Sequence, residues 1–427
     1  MAAILGMRGT GSFDSTHELP PYNYREKILR EYPDGPTPLL MILGMLKNEA
    51  VRGQGNAGQF AIFEQGLPTD RWACDSTTNP ETTDTRIHLD DAGAYTTTTE
   101  TEPGKFFKVG HLVRSETSGE VMLVTAIDTS YKYIDVKRGV GGDGTVYTYG
   151  TDGPAAISAG DFITIIGNAN MEGAGKVDSP SEDPSVVFNY IQEFRHTYGL
   201  TELAKRSGFR TGDQLANRKY DASMRHNTEM EKAFLFGKRE IDTSGAQPRR
   251  MTGGLDYWLG ADYMGTGSAA NNYTDFSSTG LSKDGFEDAI RDIYTVPGGS
   301  QNKVGFCGNQ ALGIINRMGE AHNTINVEPR DKTFGLQIRT FVHAWGELKL
   351  IAHPLMTENA AWNSTMFIVD TRNIAYRYVP GNDTHLKRNV HGNDEWREEH
   401  EWRTMCGLEL QHQRTHGMLE GITSFLA

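Results

Sequence analysis

Between residues 105 and 175 the chain alternates between apolar and polar positions. The runs FFKVGHLV, GEVMLVTAI, YKYIDVKRG, GTVYTYG and GDFITIIG recur about every ten residues, separated by Gly and Asp turns. Alternation with a period of two builds half-buried strands, so the stretch predicts a small β-barrel-like domain set into a larger chain. Upstream, residues 51–104 alternate in QFAIFEQ and TRIHLDD, while Thr77–Thr101 is rich in Thr and poor in large apolar side chains. That composition predicts an extended hairpin with solvent on one or both faces. Its edges invite pairing unless a neighbour covers them.

A helical period replaces the alternation further on. After the proline-bearing linker DSPSEDPS and the stretch FNYIQEFRHTYGL, residues Asp213–Glu240 predict the longest helix, free of Gly and Pro until Gly237. Thr211 with Gln214 fits a capping box, and the helix would run ~40 Å. Its apolar stripe, Leu215, Tyr220, Met224 and Phe234, is thin for that length and predicts a half-buried helix with a polar face for partners. Residues 250–400 predict a mixed α/β region. LSKDGFEDAIRDIYTV and ALGIINRMGEA are helical, NKVGFCGN is a strand, and LQIRTFVHAWGELKLIAH is a strand pair turning near Gly346. TMFIVDTRNIAYRYVP predicts a further strand pair, and the end of the chain predicts one or two closing strands. At the other end, a polar arm with a helical segment near Tyr22–Tyr32 leads through PDGPTP to the apolar LLMILGML. That last run is a core element of its own subunit or an anchor on a neighbour.

Composition narrows the class. With 427 residues, 37% of them apolar, the chain predicts two or three packed domains. A net charge of −13 argues against gripping DNA through its phosphates. Cys74, Cys307 and Cys406 are widely spaced and odd in number, which predicts free thiols. The longest apolar run is far short of the ~20 residues a membrane helix needs, and no export signal is evident, so a soluble protein is expected.

A search for chemistry returns near misses. Gly139, Gly141 and Gly144 spell GxGxxG after a strand, but β-type sequence follows where a dinucleotide site needs a helix. Gly175–Lys176 lacks the rest of a phosphate loop. His400–Glu401 opens an HExxH pattern that fails at Thr404, and His412 and His416 have no third ligand in a strand-like stretch. The acidic cluster Asp394, Glu395, Glu398, Glu399 and Glu401 is interleaved with Lys387, Arg388, Arg397 and Arg403, which predicts salt bridges rather than acid–base catalysis. No catalytic, cofactor-binding or metal-binding residue is assigned.

The order of segments, with phrases such as TPLLMILG, VGHLVRSETSGEVMLVTAI, IDVKRGVGG, FNYIQEFRHTYGLTELAKR and LKRNVHGNDEWREEHEWRTMCGLELQHQRTHGMLEGI, resembles the major capsid proteins of tailed bacteriophages with the Hong Kong 97-type fold, in a branch carrying a β insertion. The resemblance implies an α+β fold. Residues 1–50 would be the N-terminal arm, 51–104 an extended loop and 105–175 the inserted β domain. Residues 176–250 would hold the return strand and the peripheral domain with its long spine helix, 251–400 the axial domain, and 401–427 the strands that complete the peripheral domain. It implies a virion protein, assembled in the host cytoplasm, that forms hexamers and pentamers of an icosahedral shell around double-stranded DNA. Its partners would be copies of itself and scaffolding, portal and decoration proteins, with no membrane and no cofactor. Any scaffold would be a separate or removed protein. Gly173–Gly175 and Gly253–Gly254 are candidate hinges. A tail or baseplate protein, a cellular compartment shell and a glycan-active enzyme built on Glu398 and Glu401 stay open as alternatives.

Overall fold

The structure is a computed structural model and describes residues 35–46, 48–51, 58–65, 70–75, 84–93, 103–140, 147–148, 151–152, 156–158, 160–173, 175, 184–207, 209, 211–260, 272–322, 329–333 and 336–426. The helix expected at Tyr22–Tyr32, most of the DSPSEDPS linker and parts of the Thr77–Thr101 hairpin lie outside them.

In chain order, α1 (Pro38–Met45), β1 (Asn48–Ala50) and β2 (Gln59–Glu64) come first. Then follow β3 (Arg71–Cys74), β4 (Arg86–Gly93), β5 (His111–Ser115), β6 (Val121–Ile127), β7 (Tyr133–Lys137), β8 (Tyr147–Thr148), β9 (Thr151–Asp152) and β10 (Phe162–Asn168). The next elements are β11 (Ser185–Tyr190), β12 (Gln192–Thr201), α2 (Glu202–Arg206), α3 (Gln214–Phe236), β13 (Glu240–Asp242), β14 (Arg249–Met251), α4 (Leu255–Leu259) and β15 (Tyr273–Asp275). They lead to α5 (Lys283–Tyr294), β16 (Asn302–Cys307), α6 (Asn309–His322), β17 (Pro329–Thr333), β18 (Leu336–His343), β19 (Gly346–Ala352) and α7 (Pro354–Glu358). The chain closes with β20 (Met366–Asp370), β21 (Ile374–Tyr378), β22 (His385–Arg388), β23 (Arg397–Leu410) and β24 (Gly417–Glu420).

The chain divides into two compact units, Phe63–Val186 and the remainder. In the first, β10-β3-β4-β7-β6-β5 form a closed antiparallel barrel. The expected alternation is present: Met122 and Val124 of β6 and Ile134 and Val136 of β7 point inward, joining Trp72, Cys74, Ile87, Val113 and Ile163 in one core. Inside it Glu120 is fully buried. Its carboxylate takes both the Nε (2.9 Å) and a terminal nitrogen (2.6 Å) of Arg138, and the Gly139 N–H at 3.0 Å. Gly139 has φ +65°, the turn conformation that favours Gly.

Two expectations change here. The barrel starts near residue 71, not 105, because β3 and β4 supply Trp72, Cys74, Ile87 and Leu89 to its interior. Within the segment assigned to an extended loop, β3 and β4 are thus barrel wall, and closure pairs both of their edges. Conversely, the described residues of GTVYTYG, Tyr147–Thr148, form β8, which pairs with β9 in a separate short ladder rather than with the barrel.

The second unit holds two larger sheets. The five-stranded one runs β1-β21-β23-β12, with β22 also paired to β23. The β12–β23 ladder is its backbone, ten antiparallel rungs from Gln192↔Cys406 to Thr201↔Arg397. Helix α3 lies on it. Asp213, not Thr211, caps α3, accepting from the Leu215 N–H at 2.9 Å and the Ala216 N–H at 3.3 Å; Gln214 instead bonds Thr211. The helix ends at Gly237 and is ~35 Å long. Gly254, one of the expected hinges, is packed against it: a Cβ there would sit 2.6 Å from the Ala233 carbonyl oxygen. Gly253 is pinned by Asn189, which donates to its carbonyl at 2.9 Å and accepts its N–H at 2.8 Å. These are packing glycines.

The seven-stranded sheet runs β15-β24-β20-β16-β19-β18-β17. Helix α5, capped by Ser282, buries Phe286, Ala289, Ile290 and Ile293, the i, i+3, i+4, i+7 stripe that its sequence predicts. Its core is continued by Ile314, Ile315 and Met318 of α6. β18 and β19 pair as expected. β20 and β21 do not: β20 pairs with β16 and β24, while β21 pairs with β1 and β23 in the other sheet. The C-terminal stretch divides in the same way, β23 in one sheet and β24 in the other. The expected boundaries at 251, 400 and 401 therefore do not separate the sheets, because local alternation predicts strands but not their partners.

Candidate functional site

Among the described residues, the strongest polar chemistry is buried, at three places where distant elements meet. The first is Glu231 on α3. The opening N–H groups of a helix have no partner within it, and Thr37 gives α1 no side-chain cap. Glu231 supplies one from 192 residues away, its two oxygens accepting the Leu39 N–H at 2.7 Å and the Leu40 N–H at 2.8 Å. His353, ahead of α7, lies 2.8 Å from the same carboxylate, and both side chains are 0% exposed. One carboxylate thus ties the N-terminal helix, the long helix and the seven-stranded-sheet region together. Beside it, β1 runs parallel to β21, and Arg377 joins Glu49 of β1 to Glu409 of β23.

The second place is Asp370 at the end of β20. It accepts the Ser300 N–H at 2.6 Å, the Arg372 N–H at 2.9 Å and Lys303 Nζ at 3.3 Å. Lys303 also donates to the Thr415 carbonyl at 2.6 Å, and His416 Nδ1 accepts the Asp370 N–H at 3.1 Å. Burial pushes the Lys303 ammonium down and the His416 imidazole down to about 4. His416 is thus a buried acceptor of a backbone N–H; His412, in a left-handed turn, is not brought into a ligand set with it.

The third lies where α3 meets β12 and β23. His226 on α3 is 3.0 Å from His196 Nδ1 through its own Nδ1 and 2.7 Å from Thr404 Oγ1 through Nε2. Thr404 lies 2.9 Å from the Thr384 hydroxyl, and His196 Nε2 lies 2.8 Å from Glu229. Burial, with His196 beside it, pushes His226 down to about 4.

The acidic cluster forms the salt bridges its pattern predicts. Glu398 takes Lys205 at 2.6 Å and His400 at 2.9 Å; Glu401 takes Arg195 at 2.6 Å and also Arg403. The two carboxylates are three apart on β23 and so face opposite sides of the sheet. Lys205 holds Glu398 below its usual pKa; at Glu401 burial pushes upward, but Arg195 and Arg403 outweigh it. A glycan-cleaving pair needs two carboxyls facing one sugar, one of them a raised acid, and this geometry provides neither. His400 and Glu401 likewise point to opposite faces. All three cysteines are buried, and burial pushes Cys74 and Cys406 up to about 12.

Glu231, His353, His226, Lys303 and Asp370 had no motif to mark them. The one available signal was spacing: Ala222, His226, Met230 and Phe234 repeat every four residues along α3, with Glu231 beside them. A polar residue inside such a stripe is a buried polar residue.

The described residues contain no group of three or more His, Cys, Asp or Glu side chains placed to hold a metal, and no helix long and apolar enough to cross a membrane. What the described residues build with their buried charges is connection between elements. The class of the chain comes from comparison with known proteins. The family model described as SU10 major capsid protein matches residues 22–423. The major capsid protein of Pseudomonas phage PaMx41 is 23% identical over 394 residues, 90% of this chain and 86% of that protein. Among solved structures, the capsid asymmetric unit of cyanophage A-1(L) overlaps 60% of this chain and 85% of its own, at 11% identity and a TM-score of 0.41. Mycobacterium phage Patience overlaps 60% of this chain and 76% of its own, at 9% identity and a TM-score of 0.40. The chain belongs to the SU10 major capsid protein family. It is a phage major capsid protein and a component of the virion.

Proposed function

We propose that this capsid subunit has the Hong Kong 97-type fold and assembles with copies of itself into hexamers and pentamers of an icosahedral shell around double-stranded DNA, without catalysis. The observation that carries this reading is the family match, which takes in almost the whole chain. The parts fit it: residues 35–51 act as the end of an N-terminal arm, α3 as the spine helix and the five-stranded sheet as the peripheral sheet. The seven-stranded sheet acts as the axial domain, and the Phe63–Val186 barrel as the insertion. Scaffolding, portal and decoration proteins are the partners such a shell uses, and assembly takes place in the host cytoplasm. The net charge of −13 suits a wall that holds DNA by enclosure rather than by phosphate contacts.

The test is electron microscopy of the chain expressed alone and with its neighbouring head genes, with size-exclusion profiles across concentration. Closed icosahedral particles, or capsomer rings that convert to them, are expected. Tubes, or a stable monomer in both expressions, would overturn the reading.

A further inference from the structure

The chain of contacts between α3 and its sheet has a proton count that its geometry fixes. His196 Nε2 faces the Glu229 carboxylate at 2.8 Å and therefore carries a hydrogen. When both rings are neutral, His196 Nδ1 is then a lone pair, and the His226 Nδ1–H donates to it across 3.0 Å. His226 Nε2 accepts from the Thr404 hydroxyl at 2.7 Å, and Thr404 accepts from Thr384 at 2.9 Å. Every ring nitrogen is used, and the donors all run from Thr384 toward Glu229.

One added proton is tolerated by reversing that direction. His196 becomes the cation and donates from both nitrogens, to Glu229 and to His226 Nδ1. His226 takes the opposite tautomer and donates from Nε2 to Thr404, which donates to Thr384. No heavy atom has to move. A second proton has no such solution, since two N–H groups would face each other at 3.0 Å and two cations would touch in a buried seam.

The surroundings offer no further compensation. On the helix-facing side of the sheet the titratable groups are His196 and Tyr198 of β12, Glu398, His400 and Cys406 of β23, and Arg388 of β22 opposite His400, with Glu398 already held by Lys205 and His400. Asp383, next to Thr384, accepts the Thr384 N–H at 2.7 Å and the Tyr376 hydroxyl at 2.9 Å, and His385 Nδ1 lies 2.8 Å from the Asp383 carbonyl. From α3 come His226, Glu229 and Lys219, whose Nζ lies 6.0 Å from the Trp402 ring. Of these, His196 opposes and Glu229 favours a charge on His226.

The geometry points to an acid-sensitive clasp: the His196–His226 pair holds α3 to the β12–β23 ladder with zero or one proton and releases it on the second. The release follows from linkage. A freed seam takes up protons near the ordinary histidine value, while the closed seam holds His226 down to about 4, so lowering the pH between those values favours the open form. The clasp rests on contacts within one chain and does not depend on the geometry of the shell.

The test is hydrogen–deuterium exchange on the full-length protein from pH 7.5 to 4.5, with rates referred to the intrinsic rate at each pH. Peptides from 214–236 should lose protection at least about tenfold below pH ~6, while peptides from α5 keep theirs. In H196N the amide oxygen accepts from His226 and the site cannot take a second ring proton, so the loss should move to lower pH. In E229Q the closed seam loses the carboxylate that favours its protonated form, so the loss should move to higher pH. Glu229 is largely exposed, so E229Q tests the clasp even if H196N does not fold. A shift in the same direction for both variants, no shift in E229Q, or simultaneous loss in α3 and α5 overturns the clasp. The last pattern would assign the acid response to His343 and His416, which burial also pushes down to about 4.

Discussion

The barrel and the two-sheet unit both bury ionised side chains, but they join very different stretches of chain. In the barrel Glu120 reaches Arg138, 18 residues away, and the pair closes one turn of a self-contained sheet. In the two-sheet unit Glu231 reaches back 192 residues to α1, and Lys303 reaches forward 112 to Thr415. A barrel whose buried ion pair is local holds together by its own neighbours. The two-sheet unit holds because segments remote in sequence are caught at buried polar points, and a segment caught at one point is released when that point is lost.

The largest effect should therefore come from E231L. It leaves the Leu39 and Leu40 N–H groups and His353 buried without their carboxylate, a loss of about 3–5 kcal/mol. Limited proteolysis should cut the 35–51 segment before the rest of the chain, and thermal unfolding should begin earlier. An unchanged cleavage pattern would show that β1 and the apolar face of α1 suffice to hold the segment. E120A should cost about 3 kcal/mol by removing the carboxylate that neutralises the buried Arg138 guanidinium. Its loss of exchange protection should stay within 63–186, and spread into α3 would break the contrast between local and remote ties. The smallest effect is expected from R71A. Arg71 pairs with Glu116 at 2.6 Å and lies over the Phe162 ring, but both charges are partly exposed. Chemical denaturation should show a change under about 1 kcal/mol.

How far the sequence could be read follows the same division. Helix α5 was legible because Phe286, Ala289, Ile290 and Ile293 are apolar at every buried position. The barrel strands β5, β6, β7 and β10 were legible for the same reason at period two. β4 was legible as alternation in TRIHLDD but not as a barrel strand, and β3 was not legible at all, because Trp72, Cys74, Ile87 and Leu89 are few and set among Thr and Asp. On α3 the stripe looked thin because two of its buried residues are His226 and Glu231, polar side chains that satisfy partners far off in sequence. The separation of β20 from β21 was illegible for a different reason: both are well-formed strands, and nothing in a strand's own pattern names the sheet it joins. The acidic cluster was legible as salt bridges, with Arg397 and Arg403 nearby in sequence, but its partners Arg195 of β12 and Lys205 of α2 come from far off and could not be named.

The passage of the chain between sheets has a mechanical side. It crosses at 371–373 and again at 411–416, and the two crossings are bonded to each other. The Gln411 N–H donates to the Asn373 carbonyl at 2.8 Å, the Asn373 amide donates to Thr415 Oγ1 at 3.0 Å, and the Asp370 N–H donates to His416 at 3.1 Å. Two short straps stitched side by side resist twisting far better than one. A torque applied to the long β12–β23 ladder is therefore delivered into the seven-stranded sheet instead of being absorbed at a loose joint, so each subunit can act as a stiff lever in a curved wall.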